Sequence, residues 1–121
     1  MIEAVLRGAD GRTLVVGVAT TRAERLRGLL GRPPPPPGTG LLLPRATSIH
    51  TLGMGFPIEV AWLDDELGVV EVRTLRPGRL AVRRRGARHV LECPAGTGIR
   101  VGERFSLRRA RGFPPSPGWP R

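Results

Sequence analysis

The sequence predicts a mainly β protein, a compact β-sandwich or distorted barrel of short, mostly antiparallel strands with one short amphipathic helix. Short runs rich in Val, Leu and Ile recur along the chain, turn signals separate them, and one segment has helical periodicity. Because 121 residues allow one modest hydrophobic core, we expect a single domain over residues 1–107. An Arg/Pro/Gly-rich tail over residues 108–121 follows it.

The first third of the chain predicts a hairpin and then the helix. Residues 2–7 and 14–19 are strand-like and flank the turn signal Asp10-Gly11. Residues 21–30 break the β pattern, and Thr21 with Glu24 has the spacing of a capping box. The apolar face of this helix is expected to comprise Ala23, Leu26, Leu29 and Leu30.

The remaining chain predicts a proline loop and six short strands. Residues 33–37 are five consecutive prolines, which are stiff and extended. They are interpreted as a rigid surface loop or as a ligand for proline-binding domains. The strands are predicted over residues 41–43, 58–63, 69–75, 80–82, 88–93 and 99–107.

The basic residues are all arginine, and the formal net charge is +10. One interpretation is a compositional bias of a GC-rich genome, which also suits a hot habitat. The other is weak binding of a polyanion such as nucleic acid. The densest basic stretch would serve either as a phosphate clamp or as a charged hairpin that discourages edge-to-edge association. It comprises Arg76, Arg79, Arg83, Arg84, Arg85 and Arg88.

Several functional classes lack their sequence signals. Cys93 is the single cysteine, so an intrachain disulfide is excluded. No apolar run approaches the roughly 20 residues of a membrane span, and the first residues lack a signal-peptide pattern. The sequence therefore predicts a cytoplasmic protein, and it offers no motif for a cofactor or a metal.

The most distinctive stretch is residues 48–64, SIHTLGMGFPIEVAWLD. It resembles the signature of the bacterial and archaeal family called domain of unknown function 192 (DUF192). Residues 21–32, 88–97 and 101–105 resemble further blocks of that family in the same order. The resemblance implies a compact β fold with no assigned biochemical role. The chain departs from the pattern at Leu52-Gly53, Glu59 and Cys93, where relatives often have aromatic, Asp and aliphatic residues.

His50 is the strongest candidate for chemistry, because imidazole acts as an acid, a base or a ligand near neutral pH. The preferred hypothesis is a non-enzymatic small-ligand-binding or accessory domain, with an unidentified small ligand or protein as partner. Its cleft would lie between the loop from His50 to Pro57 and the loop over residues 93–98. The predicted ligand-binding residues are His50, Thr51, Met54, Phe56, Pro57, Glu59 and Gly96.

Two other interpretations of His50 are open. It is a structural histidine that binds loop backbone, or it serves a His-based or metal-assisted hydrolase. The hydrolase requires His50 within hydrogen-bond reach of Glu59, His89 or Cys93. No catalytic residue and no metal ligand is assigned, because no nucleophile or second ligand has motif spacing.

Overall fold

The structure is a computed structural model that describes residues 1–109. Within that range the chain forms nine strands and one short helix. In chain order they are β1 (Ile2–Gly8), β2 (Thr13–Val18), α1 (Arg22–Arg27), β3 (Thr39–Leu43), β4 (Ser48–His50), β5 (Ile58–Leu63), β6 (Val69–Leu75), β7 (Leu80–Val82), β8 (His89–Pro94) and β9 (Phe105–Arg109).

Seven strands form one curled sheet in the order β6-β5-β8-β3-β2-β1-β9, and β4 pairs with β7 separately. The pairings are antiparallel except that of β2 with β3. The sheet curls until the segments that enter its two edge strands meet. There Gly68 and Arg104 form an antiparallel bridge, and the Phe105 amide donates to the Leu67 carbonyl. The predicted mainly β class with one short helix is confirmed, and the curled seven-stranded sheet forms a half-barrel.

The central strands are buried on both faces. All six residues of β5 are buried, which explains its continuous apolar run. Side chains alternate between faces along each strand, so two hydrophobic cores lie on opposite sides of the sheet. The core on the inner side includes Leu6, Leu91 and Phe105. We call the core on the other side, which includes Ile49, Trp62 and Ala81, the β4–β7 core.

Strands β4 and β7 cover the β4–β7 core from outside. Ile49 and Ala81 are register partners, and both are buried in that core. The indole of Trp62 donates to the Thr47 carbonyl at 2.9 Å, which ties β5 to the segment before β4. Leu29, which follows α1, packs into the same core. This layer places the helix end above β8.

The helix is shorter than the sequence predicts. The capping box between Thr21 and Glu24 is present, but α1 ends at Arg27 because Gly28 turns the chain at φ 53°. The expected apolar face is therefore wrong in part. Ala23 and Leu26 are exposed, and Leu29 reaches the core from the turn after the helix.

The predicted and observed strands differ mainly at their ends. The bounds of β5, β6 and β7 match the prediction, whereas β4 was not predicted. β9 begins at Phe105 rather than at Ile99, and it continues to Arg109 by pairing with β1. The rest of the predicted tail, residues 110–121, lies outside the described residues. In the described range, none of the helical structure has the length and apolarity needed to cross a bilayer.

Candidate functional site

A small cavity of about 90 Å³ lies between the end of α1 and the β4–β7 side of the sheet. We call it the His50–Glu92 cavity. Its polar lining comes from Arg25, Arg27, Ser48, His50 and Glu92. Its other lining residues are Leu26, Gly28, Leu43, Ile49 and Leu80.

Glu92 is a carboxyl group in the middle of the sheet. Its side chain is 1% exposed, and β8 places it on the face of Leu41 and Val60, which belong to the β4–β7 core. Burial raises its pKa to about 8, against the opposing effect of the Arg32 charge. At neutral pH the group is therefore mainly a neutral carboxylic acid, with one O–H donor as well as acceptor oxygens.

Two buried polar atoms of this cavity's lining residues have no hydrogen-bond partner within residues 1–109. They are Nδ1 of His50 and Oε1 of Glu92. Buried polar groups are nearly always paired, and an unpaired one costs about 1–3 kcal/mol. Two such atoms on residues that line one cavity mark it as a place where a further polar group would be stabilised.

Gly28 closes one wall of the cavity. A Cβ at this position would lie 3.0 Å from Oε1 of Glu92, and its φ of 53° is in the region that favours glycine. The Gly28 carbonyl accepts a bond from Nε of Arg32 at 3.1 Å. The turn after α1 therefore both leaves room above Glu92 and holds a buried guanidinium close enough to influence it.

Residues 4–107 match the family DUF192, which is described as "Uncharacterized ACR". The chain belongs to the DUF192 family. The match covers the strands and the turn that build the His50–Glu92 cavity, from β1 into β9.

Two sequence relatives are UPF0127 proteins, which are the same family. One, from Thermococcus sibiricus, is 35% identical over 85 residues, which are 67% of this chain and 55% of the relative. Another, from Pyrococcus abyssi, is 45% identical over 49 residues, which are 40% of this chain and 42% of the relative. The matched part of this chain thus spans about half the length of these relatives.

Two solved structures share the fold. A protein from Sinorhizobium meliloti 1021 named a "putative transcription regulator" has a TM-score of 0.75 and 24% identity, with 88% of this chain and 92% of that one covered. A protein of unknown function from Novosphingobium aromaticivorans has a TM-score of 0.69 and 18% identity, with 86% and 83% covered. At these identities the likeness concerns the fold alone.

The DUF192 signature contributes one predicted ligand-binding residue to the cavity, namely His50, which ends β4. Thr51 is buried, and its hydroxyl donates to the Arg76 carbonyl at 2.6 Å and accepts from the Arg79 amide at 2.8 Å. Met54 is buried in the β4–β7 core, and Phe56 packs against it.

The other predicted ligand-binding residues also lie outside the cavity. Pro57 and Gly96 are exposed. Glu59 is buried, and its carboxylate accepts bonds from the Gly98 and Ile99 amides at 3.1 and 2.7 Å. Met54 and Phe56 of the first loop pack on the β4–β7 core, whereas Ile99 belongs to the inner core. A cleft between the two loops stays a prediction.

The hydrolase interpretation requires a hydrogen-bonded partner for His50, and Nδ1 of its ring has none within residues 1–109. Glu59 and Cys93 are register partners and share the inner face of the sheet, opposite to Glu92. Nδ1 of His89 accepts a bond from the Arg45 amide at 3.0 Å. Cys93 is fully buried, and burial raises the pKa of its thiol, so the thiolate nucleophile is disfavoured.

The basic stretch is divided between two turns. Arg76 and Arg79 flank the β6–β7 turn, whereas Arg83, Arg84, Arg85 and Arg88 belong to the β7–β8 connection. Arg83 pairs with Glu71 at 3.0 Å, and Arg88 with Asp65 at 3.3 Å. Arg84 and Arg88 line an open groove of about 590 Å³ together with the acidic residues Asp64, Asp65 and Glu66. Acidic side chains thus interrupt the basic surface.

The sequence contains a signal for Glu92 that is independent of its motifs. Residues 90–93 are Val-Leu-Glu-Cys, so a carboxyl group stands inside an otherwise apolar strand. Such a residue in a central strand is buried, and a buried carboxyl group has a raised pKa. Gly28 and Arg25 had no comparable signal, because their role depends on where the helix ends. No group of three or more candidate metal ligands occurs among residues 1–109.

Proposed function

We propose that this DUF192 chain is a non-enzymatic small-ligand-binding or accessory domain whose ligand occupies the His50–Glu92 cavity. The observation that carries the proposal is the pair of unpartnered buried atoms, Nδ1 of His50 and Oε1 of Glu92. A ligand with one or two polar atoms would satisfy them, and the apolar lining would hold the rest of it. The cytoplasmic location and the identity of the partner stay predictions.

Binding is favoured over catalysis by the chemistry of the lining residues. A reaction needs a nucleophile or an activated water, together with a base oriented by a third group. The cavity offers Ser48, His50 and Glu92, and no hydrogen bond between these side chains is formed. These side chains therefore recognise a ligand and take part in no bond-breaking step.

The test uses the two histidines of the chain as reporters. The ring signals of His50 and His89 are followed by NMR while acetate, acetamide and ethanol are added in turn. Each probe has few enough atoms for a cavity of about 90 Å³, a volume equal to that of about three liquid water molecules. At least one probe is expected to shift the His50 signal saturably, while His89 serves as an internal control because its ring is bound to the Arg45 amide.

A variant that blocks the cavity tests whether the shift of the His50 signal arises from binding there. Ser48→Phe places a bulky ring at an exposed position of the lining, and it is expected to abolish the shift. Ser106→Phe is the matched control, because Ser106 is exposed on the edge strand β9 and does not line the cavity. No shift with any probe would overturn the proposal, as would a shift that survives in Ser48→Phe.

A further inference from the structure

The mouth of the His50–Glu92 cavity carries positive charge. Arg25 and Arg27 both line it. Nε of Arg27 donates to the Leu30 carbonyl at 3.0 Å. Arg25 is a partly buried residue, and its guanidinium has no hydrogen bond or ion pair to another residue in the range 1–109. A guanidinium without a partner at the mouth of a cavity favours an oxyanion, which it can bind through two parallel N–H donors.

The floor of the cavity accepts an anion only because Glu92 is neutral. As a carboxylate it would repel a ligand of negative charge, whereas as a carboxylic acid it donates its proton in a hydrogen bond. Bonds from O–H to a carboxylate oxygen are short and charge-assisted. Glu92 and Arg25 thus offer complementary donors to the same oxyanion.

The rim of the cavity is apolar. Leu26 and Leu80 line it and are 67% and 72% exposed, so two large aliphatic side chains border the opening. Exposed leucines are common singly, but a pair at the mouth of one cavity provides a surface for an alkyl chain. The interior, at about 90 Å³, has room for a carboxylate head group, and a longer chain would extend over this rim.

We propose that the cavity binds a small aliphatic monocarboxylate whose head group lies between Arg25 and Glu92. The alkyl chain lies against Leu26 and Leu80. The proposal rests on the proposed ligand-binding function and names the chemical class of the ligand.

The charged and titratable groups around Glu92 make binding depend on pH. They are Arg25 and Arg27 from α1, Arg32 from the turn that follows, and His50 from β4. The neighbouring strands β3 and β5 present Leu41 and Val60. Because burial raises the pKa of Glu92 to about 8, raising the pH from 7 to 9 decreases its protonated fraction by about tenfold. Affinity for a carboxylate falls by the same factor.

The experiment measures the affinity of the full chain for acetate, butyrate, hexanoate and butyramide from the NMR shift of His50. Carboxylates are expected to bind at pH 7, with affinity rising up to about fourfold for each methylene that contacts the rim. Butyramide, which matches butyrate in shape but lacks the charge, is expected to bind at least about tenfold more weakly. Leu80→Ser is expected to remove most of the dependence on chain length.

Two variants test separately the contribution of the Arg25 charge and that of the Glu92 proton. Arg25→Gln is expected to weaken butyrate binding about tenfold or more, and Arg22→Gln to leave it unchanged because Arg22 is exposed on the same helix and does not line the cavity. Glu92→Gln keeps a neutral hydrogen-bond donor, so this variant is expected to bind butyrate at pH 7 and to lose the fall in affinity at pH 9.

The outcomes distinguish the class of ligand from the function of the cavity. If butyramide binds as tightly as butyrate and Arg25→Gln changes nothing, the carboxylate proposal is wrong while ligand binding at the cavity stands. The same conclusion follows if Glu92→Gln retains the full pH dependence. If none of the four molecules shifts the His50 signal, the carboxylate proposal and the proposed function both fail.

Discussion

Glu92→Gln tests whether the buried carboxyl group costs stability when it ionises. Glutamine has nearly the same shape, stays neutral at every pH, and keeps a donor and an acceptor beside Gly28. In the unfolded chain Glu92 has an ordinary pKa of 4.5, whereas burial raises it to about 8 in the folded protein. Between these values the folded state holds a proton that the unfolded state has released. Folding stability of the natural chain therefore falls as pH rises through this window.

The size of the effect follows from the two pKa values. Each pKa unit corresponds to about 1.4 kcal/mol, so raising the pKa from 4.5 to about 8 lowers the free energy of unfolding by about 5 kcal/mol when the pH is well above 8. This loss is absent at pH 4 and complete above pH 8. Because small domains are stable by only about 5–15 kcal/mol, the effect is large enough to measure.

The assay is urea unfolding between pH 4 and 9, followed by the fluorescence of Trp62, which is fully buried. Trp119→Phe serves as the background so that Trp62 is the single tryptophan. Relative to Glu92→Gln, the natural residue is expected to lose stability progressively from pH 4.5 to 8. Glu66→Gln is the control, since the Glu66 carboxylate is 72% exposed and its removal should add little pH dependence. A stability difference between the natural residue and the Glu92→Gln variant that stays constant with pH would refute the reasoning.

Three further predictions concern the scaffold. Thr21→Ala removes the N-cap bond of α1 and is expected to lower the free energy of unfolding by about 1 kcal/mol, which an unchanged urea midpoint would contradict. Thr51→Val leaves the Arg76 carbonyl and the Arg79 amide without their hydroxyl partner. The free energy of unfolding is expected to fall by about 1–3 kcal/mol in the same assay. Cys93 is fully buried with a raised thiol pKa, so a thiol reagent at pH 7 should label it only as fast as the protein opens. Immediate labelling of the folded chain would show that the site is accessible.

The sequence predicted correctly those strands whose hydrophobic pattern reflects which of their faces are buried. β5 is apolar throughout because both of its faces are covered, and β6 is bounded by clear turn signals. β4 was not predicted, since three residues carry too little pattern and its partner β7 lies about 30 positions further along the chain. The resemblance to DUF192 identified the family of the chain. It did not indicate a function, because that family has no assigned function.

The candidate site was predicted only at His50. The sequence indicates that residues 48–64 are distinctive, but it does not say which of their side chains face a cavity. Thr51 and Glu59 bind backbone groups of distant loops instead. Glu92 contacts the position of Gly28, which is far away in the sequence. No local sequence pattern encodes such a contact. Cavities of this kind arise from the packing of separate elements, which periodicity does not describe.

The most direct measurement is a pH titration of the Glu92 side-chain carboxyl by carbon-13 NMR, with and without saturating butyrate. We expect a midpoint near pH 8 in the free protein, which moves upward with butyrate because the bound anion favours the protonated acid. A midpoint near the ordinary value of 4.5, unmoved by butyrate, would contradict it.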